Sequence, residues 1–110
     1  GPSQPAQSTV QVTSSINKSN NLVRNAEKLS KDHKQQGQIN HLTRQLFNGN
    51  SNPGKGNTSL RFGGIHEART QSGARLYFQN TRHGFNIVAK STKDNQKEVI
   101  RELRRMYGNY

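Results

Sequence analysis

The sequence predicts an α+β fold: N-terminal helices packed on one face of a small antiparallel sheet of three or more strands, followed by a C-terminal helix. Three observations carry this expectation. Apolar residues recur with a helical period up to Phe47, fall into short β-branched or aromatic runs between Gly64 and Lys90, and return to a helical period from Asp94. The strand-like runs are divided by short turn segments that end in Gly, the pattern of consecutive strands in a meander. Only 27% of the 110 residues are hydrophobic, below the share of a typical globular domain. The folded part must therefore be small, with some of the chain left as tail or loop.

Residues 1–20 are rich in Ser, Gln and Asn, and only Val10, Val12 and Ile16 offer apolar anchors. Such a segment buries too little surface to offset its ordering entropy. It is expected to be a flexible polar linker, with a tag remnant at Gly1-Pro2-Ser3 and the folded domain over 21–110. A linker there points to a domain taken from a longer protein. From residue 21 to about 32, Leu22, Val23, Ala26 and Leu29 form one helical stripe, and Ile39, Leu42, Leu46 and Phe47 form another over 38–47. Gly37 falls between them, giving two short helices or one kinked helix. Residues 48–57, NGNSNPGKGN, hold three Gly and one Pro and must be loop. Strands are expected at 64–70, 74–79 and 85–90. The last helix spans 94–107 on the stripe Val99, Ile100, Leu103, Met106 and Tyr107, capped by Ser91, Thr92 or Asp94 and stopped by Gly108.

Seventeen Lys and Arg against six Asp and Glu give a net charge of +11. That excess favours a polyanionic partner, either nucleic acid or an acidic protein. No apolar run is long enough for a membrane span, and the first ten residues lack the basic-then-apolar order of a secretory signal. The absence of Cys excludes a disulfide scaffold and a cysteine nucleophile. The four His show no ligand spacing, and acidic residues are scarce, so no metal is expected.

Strand alternation places candidate side chains. A hairpin that pairs Arg69 with Arg75 sets Glu67 opposite Tyr77. One face then carries Glu67, Arg69, Arg75, Tyr77 and Gln79, while Leu76 and Phe78 enter the core. Lys90, Ser91, Thr92 and Lys93 are expected at the strand ends. This basic, aromatic-bearing face, left open by helices packed on the other side, fits a phosphodiester. Arg matches phosphate with a planar fork and Lys with a point charge, and Tyr77 is placed to stack on a base. Glu67 or His66 would take the proton from a ribose 2′-OH, with Arg75 and Lys90 stabilising the charged transition state. The plainer alternatives are a solvated Glu67–Arg69 ion pair, a core His66, and a solvated helix face or phosphate rail at Arg101, Arg104 and Arg105. The NPGKGN loop lacks the Gly-Lys-Ser/Thr ending of a P-loop.

The segments Gly64-Ile65-His66-Glu67-Ala68-Arg69, Gly73-Ala74-Arg75-Leu76-Tyr77-Phe78 and Ile87 to Gln96 resemble the RelE-type toxin ribonucleases. The likeness lies in a strand ending Glu-x-Arg, a strand opening Gly-x-Arg-x-x-Phe, an apolar strand and a Lys93-x-x-Gln96 turn into the last helix. It covers about residues 22–107. The resemblance implies the fold shared by barnase, EndoU, colicin and RelE nucleases, and metal-independent RNA cleavage through a 2′,3′-cyclic phosphate. It also implies a C-terminal toxin domain of a contact-dependent inhibition or similar bacterial effector, secreted or displayed and delivered into the target-cell cytoplasm. RNA, with tRNA favoured, and an acidic immunity protein or antitoxin are the partners it implies. Members usually start with a short strand before the helices, and residues 10–13 are the one candidate for it.

The resemblance carries Arg75 most directly, then Glu67, Arg69, Lys90 and Lys93. Chemistry adds His66, and Thr92 completes the catalytic candidates. Tyr77, Gln79, Gln96, Lys55 and Arg82 are the RNA-binding candidates, with no cofactor. Two functions of other classes stay open: a non-catalytic RNA-binding module, and a gyrase-poisoning toxin of the ParE kind. A ribosomal or chromatin-like basic protein fits the Glu/Arg/Tyr face poorly.

Overall fold

The structure is a computed structural model that describes residues 10–108. The elements are β1 (Gln11–Ser14), a single 3-10 turn (Ile16–Lys18), α1 (Asn20–Ser30), α2 (His33–Phe47), β2 (Asn57–Ser59), β3 (Ile65–Arg69), β4 (Arg75–Thr81), β5 (Gly84–Ser91) and α3 (Gln96–Tyr107). The fold is α+β, as the sequence predicts. The sheet has five strands in the order β1-β5-β4-β3-β2. Three of its pairings are antiparallel, and β1 runs parallel to β5, so the sheet is mixed.

The expectation of a flexible linker over residues 1–20 is corrected from Gln11 onward. Gln11–Ser14 pairs with residues 84–87 of β5, Ile16 is buried, and Val10 and Val12 pack against the core. A four-residue strand needs little hydrophobicity of its own when a neighbouring strand offers a free edge of N–H and C=O groups. Gly84 makes the approach feasible, because a Cβ there would overlap the Gln11 carbonyl oxygen. The expectation of a tag remnant at residues 1–3 falls outside the described residues.

The helices start where short polar side chains satisfy free N–H groups. The Ser19 hydroxyl accepts from Leu22 N at 3.2 Å. Asp32 Oδ1 accepts from Lys34 N and Gln35 N at 3.1 and 3.2 Å. The Asp32 cap starts α2 at His33, five residues before the expected start, and the helix runs on through Gly37. A mid-helix glycine costs about 0.5–1 kcal/mol relative to alanine. Leu22 and Leu29 of α1 and Ile39, Leu42 and Leu46 of α2 are fully or almost fully buried, whereas Phe47, expected on the α2 stripe, is 54% exposed. The last helix begins at Gln96 because the Asn95 side chain is turned back, its Oδ1 accepting from Thr92 N at 2.7 Å and Thr92 Oγ1 at 3.0 Å. Gly108 ends it as expected, its N–H donating to Arg104 O at 2.8 Å.

The hairpin register is the one the sequence predicts: Arg69 opposite Arg75, and Glu67 opposite Tyr77. On β5 the alternation is broken by a bulge at Val88, so Tyr77 pairs with Ala89 but Phe78 with Ile87. Ser91 and Ala89 therefore share the face of Arg75 and Tyr77, while Lys90, opposite Leu76, lies on the other. That other face is covered from the α1–α2 side, where Lys90 lines a cavity with Val23, Ala26 and Gln36. The first face is covered too, which corrects the expectation of an open one. Gln96 reaches Glu67 at one end of α3, and at the other Tyr107 lies against Gly63. Helices on both sides thus bury Tyr77, Phe78, Leu76 and Ile65 completely.

α3 is tied to α1 by polar side chains. Glu102 Oε2 accepts from Ser19 Oγ at 2.5 Å, and Glu102 takes two 2.8 Å bonds from Arg105. Glu98 Oε2 accepts from Asn25 Nδ2 at 2.8 Å. Arg105, then Ser19, hold the Glu102 carboxyl down from 4.5 to about 2, and Asn25 lowers Glu98. Both carboxyls bind protons less readily when folded. The stability they contribute is therefore full above the ordinary carboxylate range and is lost as pH falls toward 2. Urea midpoints are expected to be flat from neutrality to about pH 5 and to drop below it. Glu102→Gln should shrink that drop, and an unchanged acid limb would contradict the assignment.

Candidate functional site

The end of the sheet at the β3–β4 hairpin is where charge collects. Arg69 closes β3, Arg75 opens β4, and Lys93 sits in the turn before α3. Thr70 closes the hairpin: its N–H and Oγ1 both donate to the Ala74 carbonyl, at 3.0 and 2.9 Å. Ser72 is pinned to α2, with N and Oγ donating to Gln38 Oε1 at 3.2 and 2.5 Å. The loop from Asn52 is tied in by Lys55 N donating to Arg69 O at 3.1 Å and Gly54 N to Gln45 Oε1 at 2.8 Å. These contacts put Lys55, Arg69, Arg75 and Lys93 around one cleft of about 370 Å³, floored by Thr70, Gln71, Ser72 and Gly73. Four cations and no carboxylate line it. Gly73 has φ +93°, and a Cβ on it would be 3.3 Å from Lys93 Cβ, so the turn and the lysine are closely matched.

Behind Arg75 lies a buried polar cluster. Glu67 is 7% exposed. Its Oε2 accepts from Tyr77 Oη at 2.7 Å and Gln96 Nε2 at 2.8 Å, and lies 3.5 Å from Arg75 Nε. The Tyr77 hydroxyl also meets Ser91 Oγ at 3.0 Å. Burial, opposed by the Ser91 bond and reinforced by the Glu67 charge, raises the Tyr77 phenol well above its ordinary value, so Tyr77 is a donor to the carboxylate. Arg75 Nη1 donates to Gly73 O at 2.6 Å, while the buried Nε faces the Glu67 carboxylate as an ion pair without a hydrogen bond. The cluster aims the guanidinium at the cleft.

The predicted site residues therefore divide. Lys55, Arg69, Arg75 and Lys93 converge on the cleft, with Glu67 and Gln96 supporting Arg75 from behind. Tyr77 is corrected: it shares the expected face but is 0% exposed, because α3 covers it, and no base can stack on it. His66 faces the opposite side, its ring 5.6 Å from that of Phe78. Lys90 is on that side as well, and burial lowers its ammonium below the ordinary value. Thr92 is engaged by Asn95. Gln79 donates to Gly63 O at 2.8 Å, farther along the sheet, and Arg82 lies in the β4–β5 turn at the far end.

One residue emerges that sequence reasoning passed over. A second groove of about 390 Å³ adjoins the cleft and shares Lys55, Arg69, Thr70 and Gln71 with it; His41 of α2 lines it with Gln38 and Gln45. The α2 periodicity could have placed His41 off the buried stripe, but only the tertiary fold brings it beside Arg69.

Comparison with protein-family models, with curated proteins and with solved structures found no match for this chain. Among the described residues, no helix is long and apolar enough to cross a membrane, and no group of three or more His, Asp or Glu is placed to hold a metal ion.

Proposed function

We propose that this protein is a toxin endoribonuclease that cleaves cellular RNA, with tRNA the favoured class, by metal-independent attack of a ribose 2′-OH. The observation that carries this reading is the convergence of Lys55, Arg69, Arg75 and Lys93 on one acid-free cleft. Such a cleft holds a phosphodiester and binds it more tightly as negative charge builds on the pentavalent phosphorus. Charge segregation on α3 supports a polymeric anion. Lys97, Arg101 and Arg104 continue from Lys93 at helical spacing, all exposed, while Glu98 and Glu102 are turned to α1. One rail of cations thus leads away from the cleft, as on a surface that tracks a nucleic-acid backbone.

In this reading the 2′ oxygen forms a bond to phosphorus and the bond from phosphorus to the 5′ oxygen breaks. The products are a 2′,3′-cyclic phosphate and a 5′-hydroxyl. Glu67 lies behind Arg75 and acts as its positioning residue. His66 is on the other face. His41 is the imidazole on the joined groove, and it accepts the 2′-OH proton; a lysine ammonium of the cleft supplies the proton to the leaving oxygen. Delivery into a target cell and neutralisation by an acidic immunity protein or antitoxin belong to the same proposal, supported by the resemblance and the +11 charge.

The burial of Glu67 favours a second reading, an RNA-binding module in which the carboxylate only braces Arg75. One experiment separates the two. The protein is incubated with total RNA in EDTA and the ends are mapped. Cuts ending in 2′,3′-cyclic phosphate are expected, and a substrate with a 2′-deoxy nucleotide at the cut position should resist. Retention of RNA with no cuts would select the binding module, and cutting of the deoxy substrate at the normal rate would refute internal attack.

A further inference from the structure

We infer that the groove between α2 and the loop at Gly54–Lys55 is a nucleobase seat for the nucleotide whose phosphate occupies the cationic cleft. The inference rests on the reading of that cleft as a phosphate site. The first ground is continuity. The groove and the cleft share Lys55, Arg69, Thr70 and Gln71, so a group one sugar away from a phosphate in the cleft enters the groove. Its volume of about 390 Å³ lies at the small-ligand end of the usual range of about 300–1,000 Å³.

The second ground is Gly37. It weakens α2, yet its backbone is ordinary helix, and a Cβ built on it would meet nothing within 4 Å. Neither the chain conformation nor a packed neighbour calls for glycine there. What Gly37 does is line the groove, and the space beside it is open. Gly37, His41 and Gln45 follow at i, i+4 and i+8 on one side of the helix, so the missing side chain opens the groove next to the imidazole.

The third ground is the lining. His41 brings an imidazole ring and Gln38, Gln45 and Gln71 bring side-chain amides, over a floor of buried Leu42. A flat, apolar face with donors and acceptors on its edge is the chemistry that such a lining takes, and a nucleobase has it. An inorganic anion would use only the cleft.

The test compares the affinities of the intact protein for the four nucleoside 3′-monophosphates, ribose 5-phosphate and inorganic phosphate. At least one nucleotide is expected to bind about 5- to 150-fold tighter than ribose 5-phosphate, the range for one seated base. Gly37→Gln should abolish that increment, keep the ribose 5-phosphate affinity, and raise the unfolding temperature by a few degrees because glutamine is the better helix former. Nucleotides that bind no tighter than ribose 5-phosphate would overturn the seat, as would an increment that survives Gly37→Gln. A fall in unfolding temperature would also overturn it, by showing that packing requires the glycine. The ribonuclease reading fails separately. If the increment is present but no RNA is cut, the seat stands and the enzyme does not; if RNA is cut without the increment, the reverse holds.

Discussion

Arg75→Ala is expected to lower RNA cleavage by about 10²–10³-fold, the usual loss when one preorganised transition-state donor is removed. Arg75 is the cleft cation held from two sides, by Gly73 O at 2.6 Å and by the Glu67 carboxylate at 3.5 Å. Its position is set before substrate arrives. The same substitution strands Glu67, which is 7% exposed, with only the Tyr77 and Gln96 bonds. Leaving that buried carboxylate without its counter-charge should cost about 3–5 kcal/mol of stability. Adding Glu67→Gln removes the stranded charge, so the double variant should recover stability without recovering activity. Chemical denaturation beside single-turnover cleavage of one RNA reads both quantities. An Arg75→Ala protein that cuts at the normal rate would remove the guanidinium from the mechanism.

Deleting the chain through Ser15 is expected to abolish cooperative folding. The deletion takes away β1, its ladder to residues 84–87, and the Val10 and Val12 contacts with the core. At about 1 kcal/mol for each ladder bond plus the apolar contacts, the loss is several kcal/mol, comparable to the whole stability of about 5–15 kcal/mol for a small domain. It would also leave β5 as a long apolar edge, a template for aggregation. Thermal unfolding followed by circular dichroism checks this. A sharp transition close to that of the full chain would show β1 to be dispensable.

These two positions also mark how far the sequence could be read. The Arg69–Arg75 and Glu67–Tyr77 pairings follow from a hairpin whose turn and alternation are local, so they were legible. The Val88 bulge was not, because one extra residue in an apolar run leaves the composition unchanged while exchanging Lys90 for Ser91 on the site face. β1 was legible only through the resemblance, which asked for a short strand and left residues 10–13 to supply it, because QVTS is a polar segment whose partner lies about seventy residues along the chain. β2 escaped notice because NTS is a three-residue polar edge strand with no apolar residue to mark it. The burial of Tyr77 depends on where α3 docks: its apolar stripe showed that it packs, but not on which side. Lys55, Arg69, Arg75 and Lys93 could be named as residue types suited to phosphate. Their meeting point with His41 is a product of tertiary structure.

The parallel pairing of β1 with β5 carries a consequence for the order of folding. β3, β4 and β5 are joined by short turns and can zip as neighbours, whereas the Thr13 and Asn86 side chains that meet across the β1–β5 edge are 73 residues apart in sequence. Closing that distance forfeits chain entropy before the contact returns anything. The meander and its helices should form the nucleus, with β1 added afterwards to a nearly finished sheet. Substitutions at Val12 should then speed unfolding and leave the refolding rate almost untouched, while substitutions at Leu76 or Phe78 slow refolding.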